Sequence, residues 1–169
     1  MLKPQVAKAL NEQVGREFGS AYIYLAMSLR CSSLGLNGAA NWFRVQFQEE
    51  MSHVDRFCKY LTDQGADVVL GNIHQPKNDY NDLLFMFEAT LKHEKYITSS
   101  IKNLVKIARD NNDYATEVFL QWYITEQVEE EANDADIIAR LKLIGDNGSS
   151  LFLIDQELGS RVFMPPPAE

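Results

Sequence analysis

Acidic side chains interrupt four amphipathic stretches of this sequence, each near the middle of the stretch. They are Glu17, Glu50, Glu94, and Glu126 with Glu130. An ionised carboxylate in a dry core is costly unless it is paired or bound to a metal. The apolar faces that carry these acids offer no matching set of lysines or arginines. The pattern therefore indicates a cation supplied from outside the chain.

The spacing of these carboxylates predicts that they share one site. Residues equidistant from the turn of an antiparallel helix pair face each other, and the midpoint between Glu17 and Glu50 falls in the glycine-containing turn after the first stretch. The midpoint between Glu94 and Gln127 falls beside the turn at Asn111–Asn112. Both separations are 33 residues, so the two halves of the chain resemble a diverged internal repeat of one metal half-site.

A Glu-x-x-His element adds a nitrogen ligand to the carboxylates. Glu50 and His53 lie three positions apart and therefore on one helix face, whereas the second half has Gln127 and Glu130 at the equivalent places. Carboxylates with one imidazole and no thiolate favour Fe²⁺, Mn²⁺ and similar ions over a sulfur-rich zinc site. Bundles that carry such sets hold two irons, each of which can give one electron to dioxygen.

Ordinary solvated charge is the competing interpretation for the acids beside this set. The spacing alone leaves open whether three of them bind metal or belong to an exposed acidic run: Glu49, Glu126 and Glu129. Tyr24 lies two turns from Glu17 on the same face, and its hydroxyl needs a partner that a nearby carboxylate would provide. His74 and His93 are expected at the surface.

Long windows without proline, together with the periodicity of the apolar residues, predict five helices and no strand. The expected ranges are about 4–32, 38–64, 81–109, 113–144 and 150–162 within a single domain spanning 1–169. Asp113 is the expected N-cap of the fourth helix and Gly145 its expected C-terminal stop. The inward face of that helix is expected to include Asn133. The proline-rich tail, 164–169, is expected to be mobile.

The connection at about 65–80 decides the predicted topology. Some 16 extended residues reach roughly 50 Å, which exceeds the roughly 40 Å length of a 27-residue helix. A loop of this length is uncommon unless the topology requires it. The predicted fold class is therefore all-α, a four-helix bundle with a long crossover between helices two and three. The short fifth helix must pack on the bundle, since it is too short to be stable alone.

Composition excludes several function classes. The chain has 169 residues and a formal net charge of −8, so no general electrostatic affinity for nucleic acid or an anionic membrane is expected. No apolar run spans a bilayer, and the N-terminus shows no signal-peptide pattern, which predicts a cytoplasmic protein. Cys31 and Cys58 form neither a ligand pair nor a disulfide framework.

Through these motifs, the chain resembles the non-haem bacterial ferritins over nearly its whole length. The resemblance is carried by Glu17, Tyr24, Gln48-Glu49-Glu50-Met51-Ser52-His53, Lys92-His93-Glu94, Phe119 to Trp122, and Glu126-Gln127-Val128-Glu129-Glu130. It implies a cytoplasmic iron-storage protein that oxidises Fe²⁺ with dioxygen or hydrogen peroxide. It also implies a hollow homo-oligomeric shell of 24 subunits with the fifth helix around the four-fold axes.

The same resemblance implies roles for individual residues. One iron would be bound by Glu17, Glu50 and His53, and Glu50 would bridge to a second iron held by Glu94 and Glu130. Gln127 would hydrogen-bond beside the second iron. A third, inward iron site would be formed by four acids, Glu49, Glu126, Glu129 and Glu130.

Departures from related families define the alternatives. Bacterioferritins repeat Glu-x-x-His in the second half-site, where this chain has Gln127 and Glu130. Met51 nevertheless occupies the position of the methionine that ligates haem in bacterioferritins, so a haem-containing bacterioferritin is an alternative, although haem is not expected. The mini-ferritins that coat DNA are disfavoured by the long fourth helix and the fifth helix. A non-cage di-iron oxidase acting on an organic substrate, or a bundle using metal only for structure, is the rival from another class.

Overall fold

The computed structural model describes residues 2–165, which form five helices. These are α1 (Pro4–Ser33), α2 (Asn37–Asp63), α3 (Leu83–Asp110), α4 (Tyr114–Ile144) and α5 (Gly148–Leu158). No strand occurs among the described residues, and none of their helices is both long and apolar enough to cross a membrane. The predicted all-α class, with four long helices and a short fifth one, is confirmed.

Local sequence signals set the ends of most helices. Three helices begin after a side chain that accepts a hydrogen bond from the backbone N–H three residues later: Asp82, Asp113 and Asn147, at 2.8, 3.0 and 3.0 Å. Asp113 is thus the cap that the sequence indicates. The α4 helix stops at Gly145, whose φ of +52° favours glycine. The α5 helix starts and ends earlier than the periodicity indicates.

The long helices are arranged with α2 and α3 parallel to each other. Tyr24 of α1 contacts Glu94 of α3, whereas Gln13, earlier in α1, contacts Ser100, later in α3. The α1 helix therefore runs antiparallel to α3, and the tight turn after Ser33 makes it antiparallel to α2 as well. Two helices that both oppose α1 must share one direction, as the predicted crossover requires.

The crossover follows α1 from one end of the bundle to the other. Near the start of α1, Asn11 accepts from the backbone N–H of Val69 at 2.6 Å and donates to the carbonyl of Asp67 at 3.0 Å. Near its end, Arg30 donates to the carbonyl of Tyr80 at 2.9 Å. The loop is therefore fixed to α1 at both of its ends.

Two apolar clusters fill the bundle on either side of a polar belt. The cluster at the α5 end includes Phe43 and Phe87, and the other includes Phe57 and Leu120. Every long helix contributes buried polar side chains between these clusters: Gln13, Glu17, Gln46, Glu50, His53, Glu94, Gln127, Glu130 and Asp134. The bundle therefore encloses charge at mid-height and apolar packing above and below it.

The α5 helix packs against the start of α2. The carboxylate of Asp155 accepts from the backbone N–H groups of Gly38 and Ala39, at 3.1 and 2.8 Å, and so satisfies free donors at a helix N-terminus. A Cβ at Gly38 would lie 1.6 Å from the carbonyl oxygen of Asp155. Only glycine allows this approach.

Candidate metal centre

The first half of the centre joins α1 to α2 and consists of Glu17, Glu50 and His53. Their potential ligand atoms lie within 4.8 Å of one another. His53 Nδ1 is 3.3 Å from Glu50 Oε2 and 3.9 Å from Glu17 Oε2. All three side chains are buried, with at most 4% exposed. Helical spacing places Glu50 and His53 on one face, and the tight turn between α1 and α2 brings Glu17 opposite them.

Two carboxylate oxygens in this half lack hydrogen-bond donors. Glu17 Oε1 accepts from Gln13 Nε2 at 2.7 Å, but the buried Oε2 atoms of Glu17 and Glu50 accept from no other group of the described residues, and the two carboxyls lie within hydrogen-bond reach of each other. Burial raises the pKa of both carboxyls well above its ordinary value, and repulsion from Glu50 and Glu94, respectively, adds to the rise. A cation placed between these oxygens would relieve both effects.

The second half joins α3 to α4, and its carboxyls already have donors. The carboxyl of Glu94 accepts from the hydroxyl of Tyr24 and from Gln127 Nε2, the latter at 2.9 Å. Glu130 Oε2 accepts from Gln46 Nε2 at 2.7 Å. Burial, followed by repulsion from Glu94, raises the pKa of Glu130 to about 7. Glu94 and Glu130 lie outside the 4.8 Å group formed by the first half.

The three acids left open by the sequence lie in two different environments. Glu49 and Glu126 are half-buried and line a cleft of about 230 Å³ beside His53. Glu129 is exposed and does not line this cleft. Of the tail predicted to be mobile, Met164 and Pro165 line the same cleft, and residues 166–169 lie outside the described part of the chain.

One of the two histidines expected at the surface lies elsewhere. His93 is half-buried, with its Nε2 2.8 Å from Ser20 Oγ, and burial lowers the pKa of its imidazole. Its ring also contacts the edge of Tyr24, with 6.2 Å between centroids. His93 therefore supports the tyrosine that bonds Glu94. His74 is exposed, as expected.

Sequence reasoning missed three polar residues of the belt: Gln13, which donates to Glu17, and also Gln46 and Asp134. Gln46 lies one turn before Glu50 on α2 and donates to Glu130, as described above. Asp134 lies one turn after Glu130, and it is buried in place of Asn133, which is exposed. The expected inward position of Asn133 is therefore wrong: the inward face of α4 runs from Glu130 to Asp134 in a step of four. The i+4 spacing from Glu130 is the sequence signal that could have identified Asp134 as an inward residue.

Asp134 has an unusual environment for an acid. Its side chain is fully buried, and neither carboxyl oxygen has a hydrogen-bond partner. Burial, with repulsion from Glu94 next in size, raises the pKa of Asp134 to about 9. The raised pKa favours the neutral form of the side chain, which avoids a further negative charge one turn from Glu130.

Comparisons with known proteins match this chain to one family over most of its length. The family model for the ferritin-like domain matches residues 7–144. The chain is 41% identical over 156 residues to a bacterial non-heme ferritin of Campylobacter jejuni, covering 92% of this chain and 93% of that protein. It is 42% identical over 160 residues to a bacterial non-heme ferritin of Escherichia coli, covering 95% and 97%.

Solved structures give the same result at the level of the fold. An engineered closed form of the Archaeoglobus fulgidus ferritin superposes with a TM-score of 0.96 at 40% identity, over 97% of this chain and 100% of that one. An open pore ferritin from the same archaeon superposes with a TM-score of 0.95 at 40% identity, over 96% and 100%. Every residue of the polar belt lies inside the matched family domain.

Proposed function

The chain belongs to the bacterial non-haem ferritin family, whose role is iron storage, and from this premise we propose that it oxidises Fe²⁺ within its own four-helix bundle before storing it. The carrying observation is the pair of buried, donor-free oxygens on Glu17 and Glu50, next to His53 Nδ1. Three potential ligand atoms converge there within 4.8 Å of one another, which an isolated buried acid does not provide, so a cation can satisfy them together, and this donor set suits iron.

We propose that Fe²⁺ binds as substrate at two adjacent positions. Glu17, Glu50 and His53 bind the first ion, and Glu50 bridges to a second ion held by Glu94 and Glu130. Two Fe²⁺ ions each lose one electron to dioxygen, which leaves with two protons as hydrogen peroxide. Alternatively, two Fe²⁺ and two protons convert one hydrogen peroxide to two waters. The Fe³⁺ product then moves on to an oxide mineral.

Neighbouring polar groups position the second pair of carboxyls. Tyr24 and Gln127 hold the carboxyl of Glu94, and Gln46 holds that of Glu130. These donors are neutral, so they satisfy the carboxyl oxygens without adding a positive charge that would repel Fe²⁺. The proposed role of Tyr24 and Gln127 is to hold the carboxyl of Glu94 at the second position until a metal ion binds and these hydrogen bonds rearrange.

A hollow shell of 24 subunits is proposed as the storage compartment. Large apolar side chains are exposed on the subunit surface, including Phe152 and Leu153 of α5, at 60% and 64%. Such surfaces mark interfaces, and placing α5 around four-fold axes would cover them. Twenty-four subunits of 19.3 kDa make a particle of roughly 460 kDa.

Aerobic addition of excess Fe²⁺ followed by size analysis tests the storage proposal. We expect rapid oxidation and an iron core that co-migrates with a particle of roughly 460 kDa in light scattering. A monomer or dimer as the only species would refute the shell and favour the non-cage di-iron oxidase. Oxidation no faster than in protein-free buffer would refute the ferroxidase centre itself. A cytoplasmic location and the absence of nucleic-acid partners stay predictions.

A third, inward iron site is proposed at Glu49, Glu126, Glu129 and Glu130. The cleft lined by Glu49 and Glu126 supports it, and Glu129 would have to turn in to take part. Replacing Glu49, Glu126 and Glu129 together by Gln should preserve a two-iron centre but change the iron-to-oxygen ratio after the first two irons. Anomalous scattering from iron-soaked crystals checks the site. No peak beside these side chains would return them to solvated surface charge.

The haem alternative has its own test at Met51, which is half-buried on α2. The purified protein should show no Soret band, since the second Glu-x-x-His element of bacterioferritins is missing. A stoichiometric band that disappears in Met51→Ala would reverse this assignment.

A further inference from the structure

The segment after α5, residues 159–165, runs back along α2 to the cleft that is lined by Glu49 and Glu126. Asn41 Nδ2 donates to the carbonyls of Gly159 and Arg161, at 3.3 and 2.9 Å. These bonds attach the segment to the first turns of α2. Met164 and Pro165 then line the cleft that contains Glu49 and Glu126. The side chain of Arg161 is therefore held within reach of the proposed inner iron site.

Arg161 uses this placement to make two contacts with α2. Its guanidinium carbon lies 4.5 Å from the centroid of the Trp42 ring, a favourable cation–π distance. Its Nη2 donates to Glu49 Oε2 at 2.5 Å. Arg161 and Glu49 side chains are only 22% and 19% exposed, so the ion pair is less screened than a surface pair.

The guanidinium also acts on acids beyond Glu49. Burial raises the pKa of Glu126, Glu130 and Asp134, and the positive charge of Arg161 opposes the rise in each case. Arg161 Nη1 is buried and has no hydrogen-bond partner. The guanidinium of Arg161 therefore lies where the carboxylates of the inner site would attract a metal ion. Its present contacts leave one of its nitrogens without a hydrogen bond.

We propose that Arg161 competes with Fe²⁺ for Glu49 and thereby limits binding at the inner site, so that a third cation binds only when the guanidinium leaves this carboxylate. The inference rests on the proposed function, because Glu49 matters only if the inner site takes iron. The first two iron positions, which do not use Glu49, should be little affected. Arg161 would thus separate tight binding at the di-iron centre from weak, exchangeable binding beside it.

Arg161→Gln is the principal variant, and Arg140→Gln is the matched control. Both remove one arginine charge, but Arg140 pairs with Glu157 and Asp136 away from the cleft. Anaerobic titration of the assembled protein with Fe²⁺, followed by calorimetry, measures each binding step. We expect the affinity of the third Fe²⁺ to rise at least about fivefold in Arg161→Gln, as loss of a partly buried ion-pair competitor implies, and to stay at the wild-type value in Arg140→Gln.

Two further variants separate competition from mere docking of the segment. Arg161→Lys keeps the charge and should retain most of the wild-type weakness at the third step, whereas a purely structural role would make it behave like the Gln variant. The double variant Arg161→Gln with Glu49→Gln should lose the rise in affinity for the third Fe²⁺. Equal third-step affinities in Arg161→Gln and Arg140→Gln would overturn the inference. If the wild-type protein does not bind the first two Fe²⁺ ions, the proposed function itself is overturned.

Discussion

The two halves of the candidate metal centre are equally buried but differ in what their carboxyls contact. In the first half, Glu17 and Glu50 each keep one oxygen without a donor beside His53. In the second half, neutral side chains donate to Glu94 and Glu130. A cation entering the first half relieves unsatisfied acceptors, whereas one entering the second must rearrange existing hydrogen bonds. The difference predicts that the first half binds metal more tightly.

The largest effect is expected from removing the imidazole of the first half. His53→Ala should lower the initial rate of Fe²⁺ oxidation by roughly 100-fold or more, because even partners of metal ligands cost up to about 100-fold when lost. Assembly should persist, since the ligands lie within one subunit. Stopped-flow absorbance after aerobic mixing measures the rate.

His74→Ala is the control for this variant, because it removes an exposed imidazole from the crossover loop. Its oxidation rate should match the wild-type rate. If His53→Ala also keeps the wild-type rate, the assignment of the first half is wrong.

Neutralising one acid in each half should produce a smaller and asymmetric effect. Glu17→Gln should weaken the tightest Fe²⁺ by about 10- to 100-fold, whereas Glu94→Gln should leave that ion in place and weaken the second. Each acid is about 1% exposed, so burial is matched between the two variants. Anaerobic titration calorimetry resolves the steps. Equal loss of the tightest step in both variants would contradict the difference between the halves.

Asp134 is expected to make the iron-free protein less stable as the pH rises. Its pKa is about 9 in the folded protein against an ordinary value of 3.8, so between these values unfolding releases a proton and a higher pH favours unfolding. Asp134→Asn should match the wild type near pH 4 and exceed its unfolding free energy by about 1 to 3 kcal/mol near pH 9.

Thermal midpoints of the iron-free protein at pH 5, 7 and 9 measure this effect. Asp136→Asn, which alters an exposed acid on the same helix, is the control and should leave the pH slope unchanged. Parallel slopes for the wild type and Asp134→Asn would show that Asp134 does not hold its proton in the folded state.

The smallest effect is expected from a hydroxyl of the second half. Tyr24→Phe removes the donor to Glu94 and should lower the unfolding free energy of the iron-free protein by about 1 kcal/mol. Tyr22→Phe, at an exposed position on the same helix, should have no effect. Denaturation with guanidinium measures both. No change in Tyr24→Phe would mean that the second half does not depend on this donor.

Much of the centre follows from signals that are local in the sequence. Glu50 and His53 share a face because of helical spacing, and Glu17 lies opposite because it is at a similar distance from the tight turn after Ser33. The structure brings these three together within 4.8 Å. The long crossover also follows from arithmetic, since chain length and helix rise decide what a loop can span.

The position of α4 shows where such reasoning stops. Periodicity defines a helix face only to within a few tens of degrees, and the expected face included Asn133 and not Asp134. The rotation that the helix adopts in the bundle buries Asp134 instead. Glu129, one position before Glu130, is exposed for the same reason.

The sequence by itself determined the helices, their order and the acids that meet at mid-height, because backbone hydrogen bonding and turn length act over a few residues. Only the tertiary structure decided which carboxyl oxygens have donors and that Arg161 lies against Glu49. Those pairings join side chains more than a hundred positions apart, or from different helices. They depend on side-chain torsions and on the close approach of separate elements, which no local spacing encodes.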